Sequence, residues 1–490
     1  MNWRDGLLML LGYGMFVYFV SWLWSRGQRT KVGFHMANRT IGEWMAAFSI
    51  ASSWIWAPAL FIATQKSYQE GWVGLFWFTF PNVLCLILFG YFVERLRDKL
   101  PKGYTLPEFM RQRYSERTHS AYLFQNVGLL ICCLAVQMLA GGKVISKITG
   151  LPFEYVAPAL ALIAITYTLA FGLRASVVTD WLKMILVFAL IGVLVPWAVT
   201  NAGGWGVVVA GLNGKSGEYT SLFTGKGGTV FWSFGLAAFI GLMSGPFGDQ
   251  SFYQRAWCVH KDKVRGAFIK GAFIFALVPL SMSVLGFLAA GAGMNVKEVG
   301  FTNLAVIQGY LPAAASLMFI FLVMSALTST MDSHMTAMAS LGGHDFVKRI
   351  LQLDRLPNRD EDITTAVEDK ESIRFGRISI IIITLLGAGL AMAPGMQILY
   401  LFLFYGTLRA STLLPTVLTV MLPQGYLEES GVFWGVVLAM LIGLPIFAYG
   451  NFTKNVPMIV AGSLLTIILS GGLSLVVTWV RRRGAVTEAA

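Results

Sequence analysis

The feature that most constrains this chain is its series of apolar stretches too long for ordinary soluble packing. Residues 7–24, 184–200 with their flanks, and 378–394 each approach or exceed the roughly 18 apolar residues that cross a hydrocarbon layer as a helix. Composition agrees: 56% of the chain is hydrophobic and only 13% charged, where soluble domains carry about 25% charged residues. The longest polar segment, 342–377, has room for a short cytoplasmic helix and little more. Stretch 7–24 lacks a Lys/Arg-rich start and a small-residue cleavage pattern, so it reads as a retained helix rather than a signal peptide. Cys85, Cys132, Cys133 and Cys258 form no C-x-x-C pair, and neither a disulfide framework nor a zinc site is expected.

About thirteen spans are predicted, at 6–24, 42–65, 72–96, 120–148, 154–173, 176–200, 229–252, 266–293, 312–341, 376–394, 396–421, 431–449 and 457–480, with a short amphipathic piece at 303–310. The loops test the count. One set holds Arg26, Arg29, Lys31 and Arg39, then 95–117, Arg174, Arg255, Lys261, Lys263, Arg265, 348–377 and Arg481 to Arg483. The alternate set holds only Lys66, Lys143, Lys147, Lys215, Lys226, Lys297 and Lys454. The net charge of +12 is thus a positive-inside bias, not a nucleic-acid footprint, and no nucleic-acid partner is expected. It places the N-terminus outside and the C-terminus in the cytoplasm of an inner membrane. Thirteen spans suit ten core helices in two oppositely oriented halves of five, with extra helices at the ends.

Four stretches carry polar groups that an apolar span does not need. The second span has Ser52-Ser53, Trp54, Trp56 and Pro58. Proline has no N–H and crowds the turn before it, so carbonyls near Ala51 to Trp54 are free to face a cation, unless this is a simple kink. In the ninth span Ala326, Ser329, Thr330 and Ser333 share one face, with Asp332 on its edge. Small hydroxyls and a carbonyl make a hard-oxygen set suited to Na+. Hydroxyls alone often serve helix packing, but a buried Asp332 beside His334 persists only where it is used or paired. Asp180, early in the sixth span, is either an interfacial carboxylate paired with Lys183 or Arg174, or a carboxylate near the cation path. Gly245-Pro-Phe-Gly-Asp249-Gln250 ends the seventh span and marks either a second broken helix or a kink with a solvated polar end.

Three motifs in register carry a resemblance. Gly248-Asp249-Gln250, then Gln254-Arg255, Lys261 and Gly266, is similar to the signature of the sodium:solute symporter family. Thr179-Asp180 after a short turn, and Ser329-Thr330 followed by His344-Asp345-Phe346-Val347-Lys348, resemble two further segments of that family. The resemblance covers essentially the whole chain. It implies an all-α membrane protein with a leucine-transporter-like 5+5 inverted repeat and broken helices. Residues 1–41 would add an N-terminal helix and loop, 42–200 and 229–421 would form the repeats, and 431–490 would add C-terminal helices and a short cytoplasmic tail. The resemblance further implies a main sodium site of backbone oxygens from Ala51 and Trp54 with Ala326, Ser329 and Thr330. Asp180 matches a second-site aspartate. Asp332 and Ser333 fall where some members place two serines for an additional sodium, and the aspartate there would hold a second cation more strongly or titrate and admit protons. Within the family the resemblance is strongest to the urea-type branch, on Trp56-Ala57, Tyr68, Gly71, Gly74-Leu-Phe-Trp77, Tyr167-Thr-Leu and Asp249-Gln-Ser-Phe.

The expected function is therefore cation-coupled symport by alternating access, with Na+ as the cation and H+ as the alternative. The expected partners are membrane lipid and a small polar solute such as urea, in a pocket lined by Trp54, Trp56, Gln137 and Phe247. A monomer is expected. Competing readings are a proton-coupled or uncoupled permease for an amino acid or carboxylate, and an intramembrane enzyme. No H-E-x-x-H supports the last, and the chain is not expected to be an enzyme.

Overall fold

The computed structural model describes residues 3–25, 30–347 and 361–489, and among them every regular element is a helix. Arg26, Arg29 and Lys348 lie outside the described residues. Twelve helices are long and apolar enough to cross a membrane. The difference from the expected thirteen spans lies in one helix of 43 residues, Ala57–Lys99. Straight, at about 1.5 Å per residue, it would be twice as long as a hydrocarbon layer is thick. It is broken at Gly71, whose φ of +60° and ψ of −150° are not helical.

The helix Val264–Gly291 shows what that break does. Glu43 meets its Lys270 at 2.6 Å, Thr64 reaches its Met282 carbonyl at 3.1 Å, and Glu94 returns to its Arg265 at 3.1 Å. The chain therefore climbs through Glu43–Trp54 and 57–70, turns at Gly71, and descends through 72–99. These are the second and third predicted spans. A Cβ at position 71 would lie 2.4 Å from the Leu212 carbonyl, so glycine alone fits this turn.

The first predicted break is present. Glu43–Trp54 stops at Ile55, whose ψ of 72° leaves the helix, and Ala57 restarts it with Pro58 in the first turn. The second break follows the first of its two sequence readings, a broken helix rather than a kink with a solvated end. Gly225–Met243 ends short of Ser244, three residues from Pro246 to Gly248 form a 3-10 turn, and a new helix runs Gln250–Cys258. Asp249 is not a solvated span end. It caps that new helix from within the bundle, its Oδ1 accepting from Ser251 N at 2.9 Å. The amphipathic piece is the short helix Thr302–Tyr310.

Among the described residues, members of each loop set meet one another, except Arg255, which is buried inside the bundle and is not a loop residue. At one end Arg39 donates to the Lys102 and Trp257 carbonyls, Lys261 pairs with Asp98, and Lys31 N bonds Asp369. At the other, Lys147 pairs with Glu298 and Lys215 bonds Asn295. Between them, large apolar side chains such as Leu8, Phe124 and Leu385 are exposed on the outer surface, where lipid rather than water is their natural solvent.

Candidate functional site

The polar band of Ala313–Ser340 meets the first break in the middle of the bundle. Thr330 Oγ1 donates to the Ile55 carbonyl at 3.2 Å and lies 3.4 Å from its own Ala326 carbonyl. Ser329 Oγ touches Ser52 Oγ at 2.5 Å and makes a short hydrogen bond to Asp180 Oδ1. The Ala51 carbonyl keeps its helical bond from Ile55 N at 2.9 Å and so retains one lone pair. The Trp54 carbonyl is the one Pro58 has no N–H to serve. Ser329 and Thr330 thus meet Ser52 and Ile55 of the broken stretch, next in sequence to Ala51 and Trp54, and the atoms that these residues and the Ala326 carbonyl offer are hard oxygens.

Next to this oxygen set lies a charge network. Asp180 Oδ2 accepts from Ser49 at 2.6 Å and from Arg255 Nη2 at 3.2 Å. Asp332 Oδ1 accepts from Ser176 at 2.5 Å, and its Oδ2 from Tyr167 at 2.6 Å and Lys183 at 2.8 Å. Ser333 Oγ lies 2.9 Å from Ser53 and 2.5 Å from Arg255 Nη2. All four charged groups are buried, and two negative charges face two positive ones. Asp180 lies beside the oxygen set, as one sequence reading had it, but it does not pair with Lys183 or Arg174 as the other expected. Its partner is Arg255, from the second half-helix of the broken span, while Lys183 serves Asp332. Where the resemblance placed a second metal ion among Asp180, Asp332 and Ser333, the structure places an ammonium and a guanidinium within hydrogen-bonding reach.

On the other side of the first break is an aromatic chamber. Trp54 and Trp56 stack with ring centres 5.7 Å apart, and Trp56 meets Tyr405 at 4.9 Å and Phe402 at 5.3 Å. Gln137 Oε1 accepts from Ala57 N at 2.8 Å and so satisfies the first donor after the break. Phe247 instead packs on Phe89 and Phe92, at 5.2 and 5.0 Å. Asp249 Oδ2 accepts from Arg409 at 2.5 Å, His334 at 3.2 Å and Tyr405 at 3.3 Å. The His334 ring, through Nδ1, also meets the Thr330 carbonyl at 2.7 Å, which ties this chamber to the oxygen set. Arg409 is held there because Gly406 and Gly241 let their helices touch. A Cβ on Gly241 would be 2.9 Å from Gly406 Cα. Sequence reasoning missed Arg409 and Tyr405. The signal was available, since Arg409 is the single charge within the apolar helix Ile398–Met421.

The signature glutamines close one end. Gln250 bonds the Tyr104 carbonyl, Leu106 N and Ser340 Oγ, while Gln254 bonds the His35 and Thr336 carbonyls. At Gly266 a Cβ would lie 2.1 Å from Glu43 Oε1.

Comparison with known proteins is consistent along the chain. Residues 34–439 match the profile of the sodium:solute symporter family. The urea-proton symporter DUR3 of Oryza sativa subsp. japonica is 22% identical, over 96% of this chain and 70% of that protein. The urea active transporter of Saccharomyces cerevisiae is 23% identical, over 85% of this chain and 59% of its own length. The sodium/pantothenate symporter of Haemophilus influenzae is 25% identical, over 90% and 88%. A solved Na+-coupled sialic acid symporter superposes with a TM-score of 0.75 at 15% identity, covering 96% of this chain and 98% of that one. At that identity the likeness is one of fold.

Proposed function

The chain belongs to the sodium:solute symporter family, and on that premise we propose that it couples sodium entry to uptake of a small neutral polar solute, urea or a close analogue. The observation that carries the reading is the meeting of Ser329 and Thr330 with the broken helix at Ile55. An all-oxygen set at the junction of a broken and a continuous helix suits sodium, and it moves apart if the two helices separate. Sodium bound there favours the closed arrangement of the two helices, and the solute chamber on the far side of Trp54 is closed with it. What supports urea is the narrow aromatic chamber and the printed names of the rice and yeast relatives. Those proteins are longer than this chain, and their substrate is a guide to this one rather than a property of it.

We read the cycle as carrying one sodium. Lys183 and Arg255 already neutralise Asp332 and Asp180, so the second cage carries fixed cations of its own. A cavity of about 350 Å3 between Gln65, Phe301 and Gln397 supports reading its end of the bundle as the solute's entrance. It opens at the end that carries Lys143 and Lys297, the outer face on the positive-inside reading. The repeats are read as 42–200 and 229–421, each starting at a broken helix. The protein is read as a working monomer in the cytoplasmic membrane.

Proteoliposomes test the coupling. Labelled urea should accumulate with an inward sodium gradient and not without one. Uptake driven by a pH gradient with sodium absent would assign the coupling to H+, and equal uptake with no gradient would make the protein a facilitator. Orientation has its own test. A cysteine at Ser115 should be labelled only from the cytoplasm and one at Ser216 only from outside; labelling of Ser115 from outside would overturn the span assignment.

A further inference from the structure

The solute chamber holds an imbalance that the fold does not explain. Arg409 Nε, Arg409 Nη1, Trp54 Nε1 and Trp56 Nε1 are all buried and have no hydrogen-bond partner. All four are donors, and their side chains touch. The Arg409 guanidinium carbon lies 4.9 Å from the Trp54 ring, 5.5 Å from Trp56 and 3.7 Å from Tyr405. Unpaired N–H groups in a buried site are costly and are uncommon in folded proteins. The side-chain acceptors nearby already have donors of their own. Asp249 Oδ1 takes Ser251 N and Oγ, its Oδ2 takes Arg409, His334 and Tyr405, and Gln137 Oε1 takes Ala57 N.

We infer that Arg409 is the solute-docking residue, and that the solute presents an uncharged acceptor oxygen, the C=O of a urea or an amide, to Arg409 and the two indole N–H groups. The inference rests on the symport reading and sharpens its solute. A donor-only molecule would leave all four of these N–H groups unpaired. Asp249 pairs with Arg409 at 2.5 Å and with His334 at 3.2 Å, so a carboxylate solute would have to sit beside a carboxylate that both groups already hold. Arg409 lies against the faces of Trp54, Trp56 and Tyr405, and a flat carbonyl compound suits such flat walls. Its free N–H groups, on Nε and Nη1, lie on different edges of the guanidinium, so a solute oxygen meets one of them.

The test is solute binding to the purified full-length protein at constant sodium, read by tryptophan fluorescence, because Trp54 and Trp56 border the site. Four probes are titrated in the millimolar range: urea, acetamide, guanidinium and propionate. Urea and acetamide should give saturable changes, while guanidinium, which has donors only, and propionate, which is charged, should bind at least 10-fold more weakly. Arg409→Met should raise the half-saturating urea concentration at least 10-fold. Because that change strands Asp249, the pair Arg409→Met with Asp249→Asn removes both charges together and should show the same loss in a folded protein. Guanidinium binding as well as urea, propionate binding alone, saturable binding by none of the four, or unchanged urea binding in both variants each overturns the inference. None of these results depends on whether uptake is sodium-driven. A loss of sodium dependence in proteoliposomes would sink the symport reading while leaving the docking assignment to stand or fall on the binding data.

Discussion

Asp332 and Asp249 are both fully buried carboxylates, and each is held by a cation from another helix, Lys183 at 2.8 Å and Arg409 at 2.5 Å. Their surroundings differ. Around Asp332 donors and acceptors close on one another: Tyr167, Ser176 and Lys183 fill the carboxylate, and Lys183 also reaches Tyr167 at 2.9 Å. Around Asp249 the carboxylate is filled but its cation is not, since two nitrogens of Arg409 and two indoles have nothing to bond. A closed network holds helices in place. A network with surplus donors is completed by something that comes and goes. The burial of a charge therefore says less about function than the balance of the hydrogen bonds around it.

The sharpest way to break that contrast is Lys183→Met. Removing one partner of a buried pair leaves an uncompensated charge and costs about 3–5 kcal/mol. Denaturant or thermal unfolding in detergent should show the loss, and Lys183→Met with Asp332→Asn should recover most of it. If Lys183 stands where a second sodium would otherwise go, NaCl should stabilise the single variant more than choline chloride does. A single variant as stable as the wild type, with no sodium effect, would mean that the Asp332 cluster is not the closed network described.

Ser329→Ala with Thr330→Ala acts on the oxygen set between the two clusters. Two hard oxygens are lost, and the half-saturating sodium concentration for uptake should rise about 10-fold or more, roughly 1.4 kcal/mol per decade. The helix should persist, since alanine is the best helix former. Uptake at saturating sodium should keep its solute affinity. Unchanged sodium dependence would move the cation site elsewhere.

Much of this was legible in the sequence because periodicity and proline act locally. The Ser329 and Thr330 face follows from helical spacing, and the first break follows from Pro58, so both could be placed before any tertiary contact was known. The pairings could not. Lys183 lies close in sequence to Asp180, which made it the natural partner there, but the packing of its helix against the polar band gives it to Asp332, 149 residues away. At the second break the two readings could not be separated, for a related reason. A polar run such as Asp249-Gln250 looks like a span end, and only the cap on Ser251 and the bonds from Gln250 to Tyr104 and Leu106 show it to be the interior of a longer crossing. Gly71 hid in the same way, because hydropathy gives two spans on either side of it but not one helix bent between them.

The finest test of the contrast uses one substitution at two places. Trp56 and Trp257 are both fully buried. Trp257 Nε1 donates to the Leu100 carbonyl at 2.9 Å, whereas Trp56 Nε1 has no partner. Tryptophan to phenylalanine removes the same ring area and the same N–H at each site, so the packing losses nearly cancel between them. What remains is the hydrogen bond. Trp257→Phe leaves the Leu100 carbonyl with only the longer bond from Gly103 N at 3.4 Å, while Trp56→Phe removes a donor that was already unsatisfied, and a buried polar group without a partner costs about 1–3 kcal/mol. Trp257→Phe should therefore be the more destabilising by about 2 kcal/mol, measured by urea-free thermal unfolding in detergent. Solute binding should move the other way. Trp56→Phe takes one donor from the docking set and should weaken urea binding by about 3-fold, a fraction of the effect of losing a charged partner, and Trp257→Phe should leave it unchanged. Equal losses of stability at the two positions would show that the Trp56 indole is satisfied after all, and that the surplus of donors at the solute site is smaller than the structure indicates.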